Sequence, residues 1–173
     1  QSDWYTFGVR KNLDSFSFMF AGDIQDTIGG NTNELFTSMR RKFPHADFWV
    51  LGGDVIERPH DAYWAHYFQS MDSISQYYPV IAAPGNHESL KGLERKIEER
   101  FLSVFSYFEQ SSYKGNTVYD ITYGNTTIIT LDSTRDFWNL PTQKKWLEQK
   151  LKEAANSTWK VVVLHHPVHS VKG

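Results

Sequence analysis

Short apolar runs alternate with helical periodicities along most of this chain. The first run, residues 16–20, stops at Ala21-Gly22-Asp23, and Leu35, Phe36, Met39 and Phe43 then recur at helical spacing. The next run, residues 48–51, stops at Gly52-Gly53-Asp54. Tyr63, Trp64, Tyr67, Phe68 and Met71 follow as the stripe of a second helix. A third run, residues 79–83, closes in Pro84-Gly85-Asn86-His87-Glu88. Leu93, Ile97, Phe101 and Phe105, each four apart, predict a third helix.

Three strand–helix units in succession imply parallel strands with helices packed on the sheet. The pattern then changes. Residues 117–123 alternate, with Tyr119, Ile121 and Tyr123 on one face. Gly124-Asn125 reads as a two-residue hairpin turn, and residues 126–132 run back as its partner. A helix starting near Pro141 carries Trp146, Leu147, Leu151 and Ala154. A last apolar run, residues 161–164, ends in His165-His166-Pro167. The first and last runs are expected to be buried strands. The fold class is therefore α/β, with a parallel part and an antiparallel part, in two sheets. Residues 1–13 lack periodicity and read as a lead-in; the domain occupies 14–173.

Composition narrows the function classes. Apolar residues make up 40% and charged residues 22% of the 173 residues, which argues against disorder. The net charge is −2, and the longest basic tract is Arg40-Arg41-Lys42, so nucleic-acid binding by charge is not expected. Cysteine is absent, which removes disulfides, thiolate metal sites and cysteine nucleophiles together. No apolar stretch is long enough for a membrane span. The sequons at Asn125 and Asn156 lean towards an exported protein.

The informative feature is where the polar residues stand. Asp23, Asp54, Asn86, His87 and His165 each follow an apolar strand directly. In an open α/β sheet the carboxyl ends of parallel strands share one edge, and ligands bind in the crevice outside it. Carboxylates, a carboxamide and imidazoles gathered there would repel or stay unsatisfied without a cation. Hard oxygen donors mixed with imidazole suit Mn, Fe, Zn or Mg. Two ions sharing a carboxylate form the arrangement used for in-line displacement at phosphorus.

The blocks Gly22-Asp23, Gly53-Asp54, Gly85-Asn86-His87-Glu88 and His165-His166-Pro167, in this order, resemble the calcineurin-like metallophosphoesterase superfamily, and within it the purple acid phosphatase-like branch. The resemblance covers residues 16–169. It implies an αββα sandwich of two mixed sheets carrying a dinuclear metal centre, and hydrolysis of a small-molecule, lipid or protein phosphoester. Position by position, it makes Asp23 a ligand of the first metal and Asp54 the bridge. Asn86 and His165 become ligands of the second metal, and His87 the acid serving the leaving group. His165 is preferred to His166 because the family's ligand stands two residues before the proline.

Three departures matter. The family's opening Asp-x-His reads Asp23-Ile24-Gln25 here, so Gln25 is expected to hold the first metal through a neutral oxygen, more weakly or with a preference for harder ions. Glu57 stands where purple enzymes carry a tyrosine, so their colour is not expected. The closing Gly-His-x-His block does not occur before Gly173. An incomplete C-terminus and weak turnover are therefore expected, and a non-catalytic domain of the same fold is the alternative reading. His45, His60 and His66 read as surface or helix-flank residues, and Glu57 and Arg58 as solvated loop charges.

Overall fold

The computed structural model describes residues 14–90, 92, 95–107, 111–113, 117–134 and 140–169, with Trp4 and Gly8. Strands β1 (Phe18–Ala21), β2 (Phe48–Leu51) and β3 (Val80–Ala82) form one parallel sheet with β2 in the middle. Phe18 stands opposite Phe48, and Trp49 opposite Val80. Parallel pairing requires the chain to return to the same end before each new strand. Helices α1 (Thr32–Lys42) and α2 (Asp61–Ser75) make these returns. Two-residue strands β4 (Ser89–Leu90) and β5 (Lys96–Ile97) then form a small antiparallel ladder, followed by α3 (Glu99–Val104).

The second sheet contains β6 (Tyr119–Tyr123), β7 (Thr126–Thr130) and β8 (Trp159–Val163), with β7 in the middle. Gly124, at φ 57°, makes the tight turn between β6 and β7, which run antiparallel. Helix α4 (Leu140–Glu153) then carries the chain back so that β8 lies parallel to β7.

Strand alternation explains how the layers stack. Trp49 and Leu51 point from β2 to the helices, against Phe36, Met71, Ile74 and Phe101. Phe48 and Val50 point the other way, against Tyr119, Ile128 and Val163 of the second sheet. From β7, Ile129 faces Trp146 of α4 on the far side. Each such side chain contributes about 1.5–3 kcal/mol when fully buried. The result is helix, sheet, sheet, helix: the expected αββα sandwich. The Tyr119 hydroxyl stitches the sheets together, donating to the Ala82 carbonyl (2.7 Å) and accepting the Ala82 N–H (3.1 Å). No helix among the described residues is long and apolar enough to cross a membrane.

Two expectations need correction. The third helix does not run from Leu93, which lies outside the described residues, through Phe105. Ile97 sits in β5, and helix begins only at Glu99. Glu98, in extended backbone, caps that helix by accepting the Arg100 N–H, and its buried carboxylate also takes the Trp64 indole N–H at 3.0 Å. Phe101 and Phe105 still reach the core, as their spacing requires. The first and last strands are not buried throughout. β1 and β8 lie at sheet edges, where Phe20 is 57%, Val162 37% and Trp159 65% exposed. Only the middle strands, β2 and β7, are buried along their whole length. The lead-in expected over 1–13 falls outside the described residues, apart from Trp4 and Gly8.

Candidate metal centre

The carboxyl ends of β1, β2, β3 and β8 meet at one place, and close backbone approach makes the meeting possible. Gly53 has φ 91°, and a Cβ there would fall 2.9 Å from Gly85 N, Gly85 Cα and His165 Cβ alike. Only glycine fits. The loops are also hydrogen-bonded to one another: Asp23 N–H donates to Gly53 O (3.2 Å) and Gln25 N–H to Asp54 O (2.9 Å). Asp23 and Asp54 both adopt φ 51°, a left-handed conformation that costs a residue with a side chain about 1–3 kcal/mol. Both carboxylates are thus presented by strained strand exits.

Asp54 is buried, and its Oδ1 accepts the His87 backbone N–H at 2.9 Å. Its Oδ2 lies 3.2 Å from His165 Nε2. The same Nε2 lies 3.0 Å from Asn86 Oδ1, while His165 Nδ1 lies 3.1 Å from the Gly52 carbonyl. A carbonyl only accepts, so Nδ1 carries a proton, and Nε2 is the ring nitrogen turned to the two oxygens. Asp23, which is exposed, completes a group with Asp54 and His165 whose ligating atoms all lie within 4.8 Å of one another. Three ligating atoms this close together form a group able to hold a cation. The set of carboxylate, amide oxygen and imidazole matches a hard or borderline cation.

Gln25 stands beside this group through its backbone bond to Asp54. Its side-chain Oε1 is buried and has no hydrogen-bond partner among the described residues. A buried acceptor left alone costs about 1–3 kcal/mol, a deficit that a bound cation would remove. His87 Nδ1 lies 2.7 Å from the Glu57 carbonyl, which fixes the proton on Nδ1 and turns Nε2 towards Asp54, 3.8 Å from Oδ2. The structure therefore brings Asp23, Asp54, Asn86 and His165 together, with His87 and Gln25 adjoining them. His166 turns away: its backbone N–H and its Nδ1 engage Ser133. His60 caps α2, its ring accepting the Ala62 N–H.

Glu88 is the residue whose part the sequence reading missed. Fully buried, it accepts four backbone N–H groups: Gly85 (2.7 Å), Val55 (2.8 Å), Asp54 (3.1 Å) and Ile56 (3.2 Å). It ties the loop after β2 to the loop after β3. Burial pushes its carboxyl up to about 7, with the charge of Asp54 adding and the N–H groups of Gly85, Ile56 and Val55 opposing. The signal was the acidic residue closing Gly85-Asn86-His87-Glu88. Beyond Asn86 and His87 opens a cleft of about 420 Å³, walled also by Glu57, Arg58, Pro59 and Ser89.

Comparison with known proteins agrees with this architecture. The model of the calcineurin-like phosphoesterase family matches residues 16–173. Among solved structures, purple acid phosphatase PPD1 isolated from yellow lupin (Lupinus luteus) seeds has a similar fold, with a TM-score of 0.68 and 16% sequence identity. The match covers 91% of this chain and 32% of that protein, so the chain spans about a third of its length. Spanning nearly all of the sandwich and every strand-end block of the site, the family match settles the classification: the chain belongs to the calcineurin-like phosphoesterase family.

Proposed function

We infer that this chain is a metal-dependent phosphoester hydrolase working through two ions held at the shared strand edge. Asp23 and Gln25 would hold the first ion, Asn86 and His165 the second, and Asp54 would serve both. Bound ions of this kind supply Lewis acidity, lowering the pKa of a water and offsetting charge on phosphate oxygens. The observation that carries the reading is His165. Its Nδ1 is committed to Gly52 O, which leaves Nε2 aimed at Asp54 Oδ2 and Asn86 Oδ1.

The remaining chemistry belongs to the side chains. His87 is oriented twice, by its backbone N–H to Asp54 Oδ1 and by its ring to Glu57 O. A protonated His87 Nε2 can hand its proton to a departing alkoxide, work that an imidazole performs well near neutral pH. The two strained aspartates are held in place before substrate arrives, so little reorganisation accompanies the reaction.

Gln25 motivates a second reading: a domain that keeps the fold and binds one ion without turnover. The test is to strip the protein of metal and titrate Mn, Zn, Fe(II) and Mg by calorimetry. Hydrolysis of a chromogenic phosphoester is then followed with each metal. Two binding events with turnover support the hydrolase. One event without turnover selects the second reading, and no binding at all overturns both.

A further inference from the structure

The loop after β2 places two opposite charges on the wall of the 420 Å³ cleft. They are not equivalent. Glu57 turns to His87, with a carboxylate oxygen 3.7 Å from Nδ1 in addition to the short backbone contact. Arg58, next to it, is exposed, and its guanidinium has no hydrogen bond or ion pair with any described residue. The contrast with the other arginines nearby is direct. Arg95 spends its donors on Ser89, Thr134 and Asn86, and Arg100 spends its on Glu98 and Asp61. Arg58 is thus the cation that the cleft keeps for something else.

Its backbone is held ready. Two residues before it, the segment Asp54–Ile56 is anchored by three N–H bonds to Glu88. Pro59 follows it, which restricts Arg58 to extended backbone, and the Arg58 carbonyl accepts the His60 N–H at 2.7 Å. A planar five-donor fork on a constrained loop suits an oxyanion. The cleft lies on the His87 side of the metal centre and is not lined by Asp23 or His165. That is the side on which His87 would meet a leaving group, and the volume falls within the range of small-molecule sites.

We propose that Arg58 is a specificity-determining residue that binds a second oxyanion, a carboxylate or phosphate, carried on the leaving group of the substrate. The inference rests on the hydrolase reading and names the substrate class: phosphoesters of alcohols that are themselves anionic.

The probes are phenyl phosphate and 4-carboxyphenyl phosphate, compared by kcat/KM in the Mn-loaded chain, with the matching phenylphosphonates for binding by calorimetry. The intrinsic reactivity of the two esters cancels when the ratio is compared between proteins. The carboxylated ester should be favoured about tenfold more by the parent chain than by Arg58→Ala, the scale of a hydrogen bond to a charged group. Arg58→Lys should keep part of the preference, and Arg58→Glu should reverse it. The phosphonates should show the same discrimination in binding. Turnover of both esters with a ratio unaltered by Arg58→Ala overturns the subsite and leaves the hydrolase standing. No turnover with phosphonate discrimination intact does the opposite, and loss of both defeats both.

Discussion

The carboxylate of Glu88 accepts the backbone N–H of Asp54 at 3.1 Å, so one buried acid builds the platform that presents another. The consequence is structural. Glu88→Ala leaves four buried N–H donors without an acceptor, each worth about 1–3 kcal/mol when unsatisfied. We expect a loss of several kcal/mol by denaturant titration, or no folded protein at all. Glu88→Gln, which retains one acceptor oxygen, should fall between. A Glu88→Ala protein as stable as the parent would mean that these bonds do not support the loops.

Gly53 and Gly22 make an internal comparison. Gly53→Ala combines a positive φ with contacts at 2.9 Å to three neighbouring atoms, two of them backbone, whereas a Cβ on Gly22 would meet only Gly52 Cα at 3.9 Å. The first substitution should lower the melting temperature by many degrees and weaken metal binding. The second should leave both nearly unchanged. Equal effects would show that the strand ends are less tightly gathered than described.

Asp54→Asn keeps an oxygen for the His87 N–H but removes the negative charge that, in the proposed hydrolase, would serve both ions. Metal affinity should fall by more than about 100-fold, beyond what outer ligand partners usually contribute. Activity should drop further than with any other single replacement. Metal content after dialysis, read beside the rate, checks this.

His87→Ala should divide the two readouts. Turnover should fall by about 100- to 10,000-fold, the usual range for a lost general acid, while metal content stays at the parent level. If metal and rate decline in parallel, the histidine supports the metal site rather than the leaving group.

Gln25→His replaces a neutral oxygen with imidazole nitrogen, so it should strengthen one of the binding events seen by calorimetry. The gain should be larger for Zn than for Mn, following their relative preference for nitrogen donors. An unaltered isotherm would place the side chain outside the coordination shell.

Much of the site was legible because its determinants are local. Apolar runs ending in Gly22-Asp23, Gly53-Asp54, Gly85-Asn86-His87 and His165 mark strand exits, and parallel topology sends such exits to one edge. The core stripes of α1, α2 and α4 were readable for the same reason. Helical spacing failed at Ile97, where an antiparallel ladder and the Glu98 cap override a periodicity that continues only from Phe101.

Strand order, loop packing and burial depend on partners distant in sequence, and these the chain's linear pattern does not carry. Apolar runs at 16–20 and 161–164 resemble the run at 48–51, yet of these three strands only β2 has, among the described residues, a neighbouring strand on each side and a layer over each face. The Gly52 carbonyl selects which nitrogen His165 presents, the convergence of two loops on Glu88 holds Asp54 in place, and the wall beyond His87 carries the Arg58 cation. Sequence determined which donors arrive at the sheet edge, because strand ends are written in short-range hydrophobic pattern. Tertiary structure decided how each donor is aimed, because aim is set by contacts between segments that meet only in the folded chain.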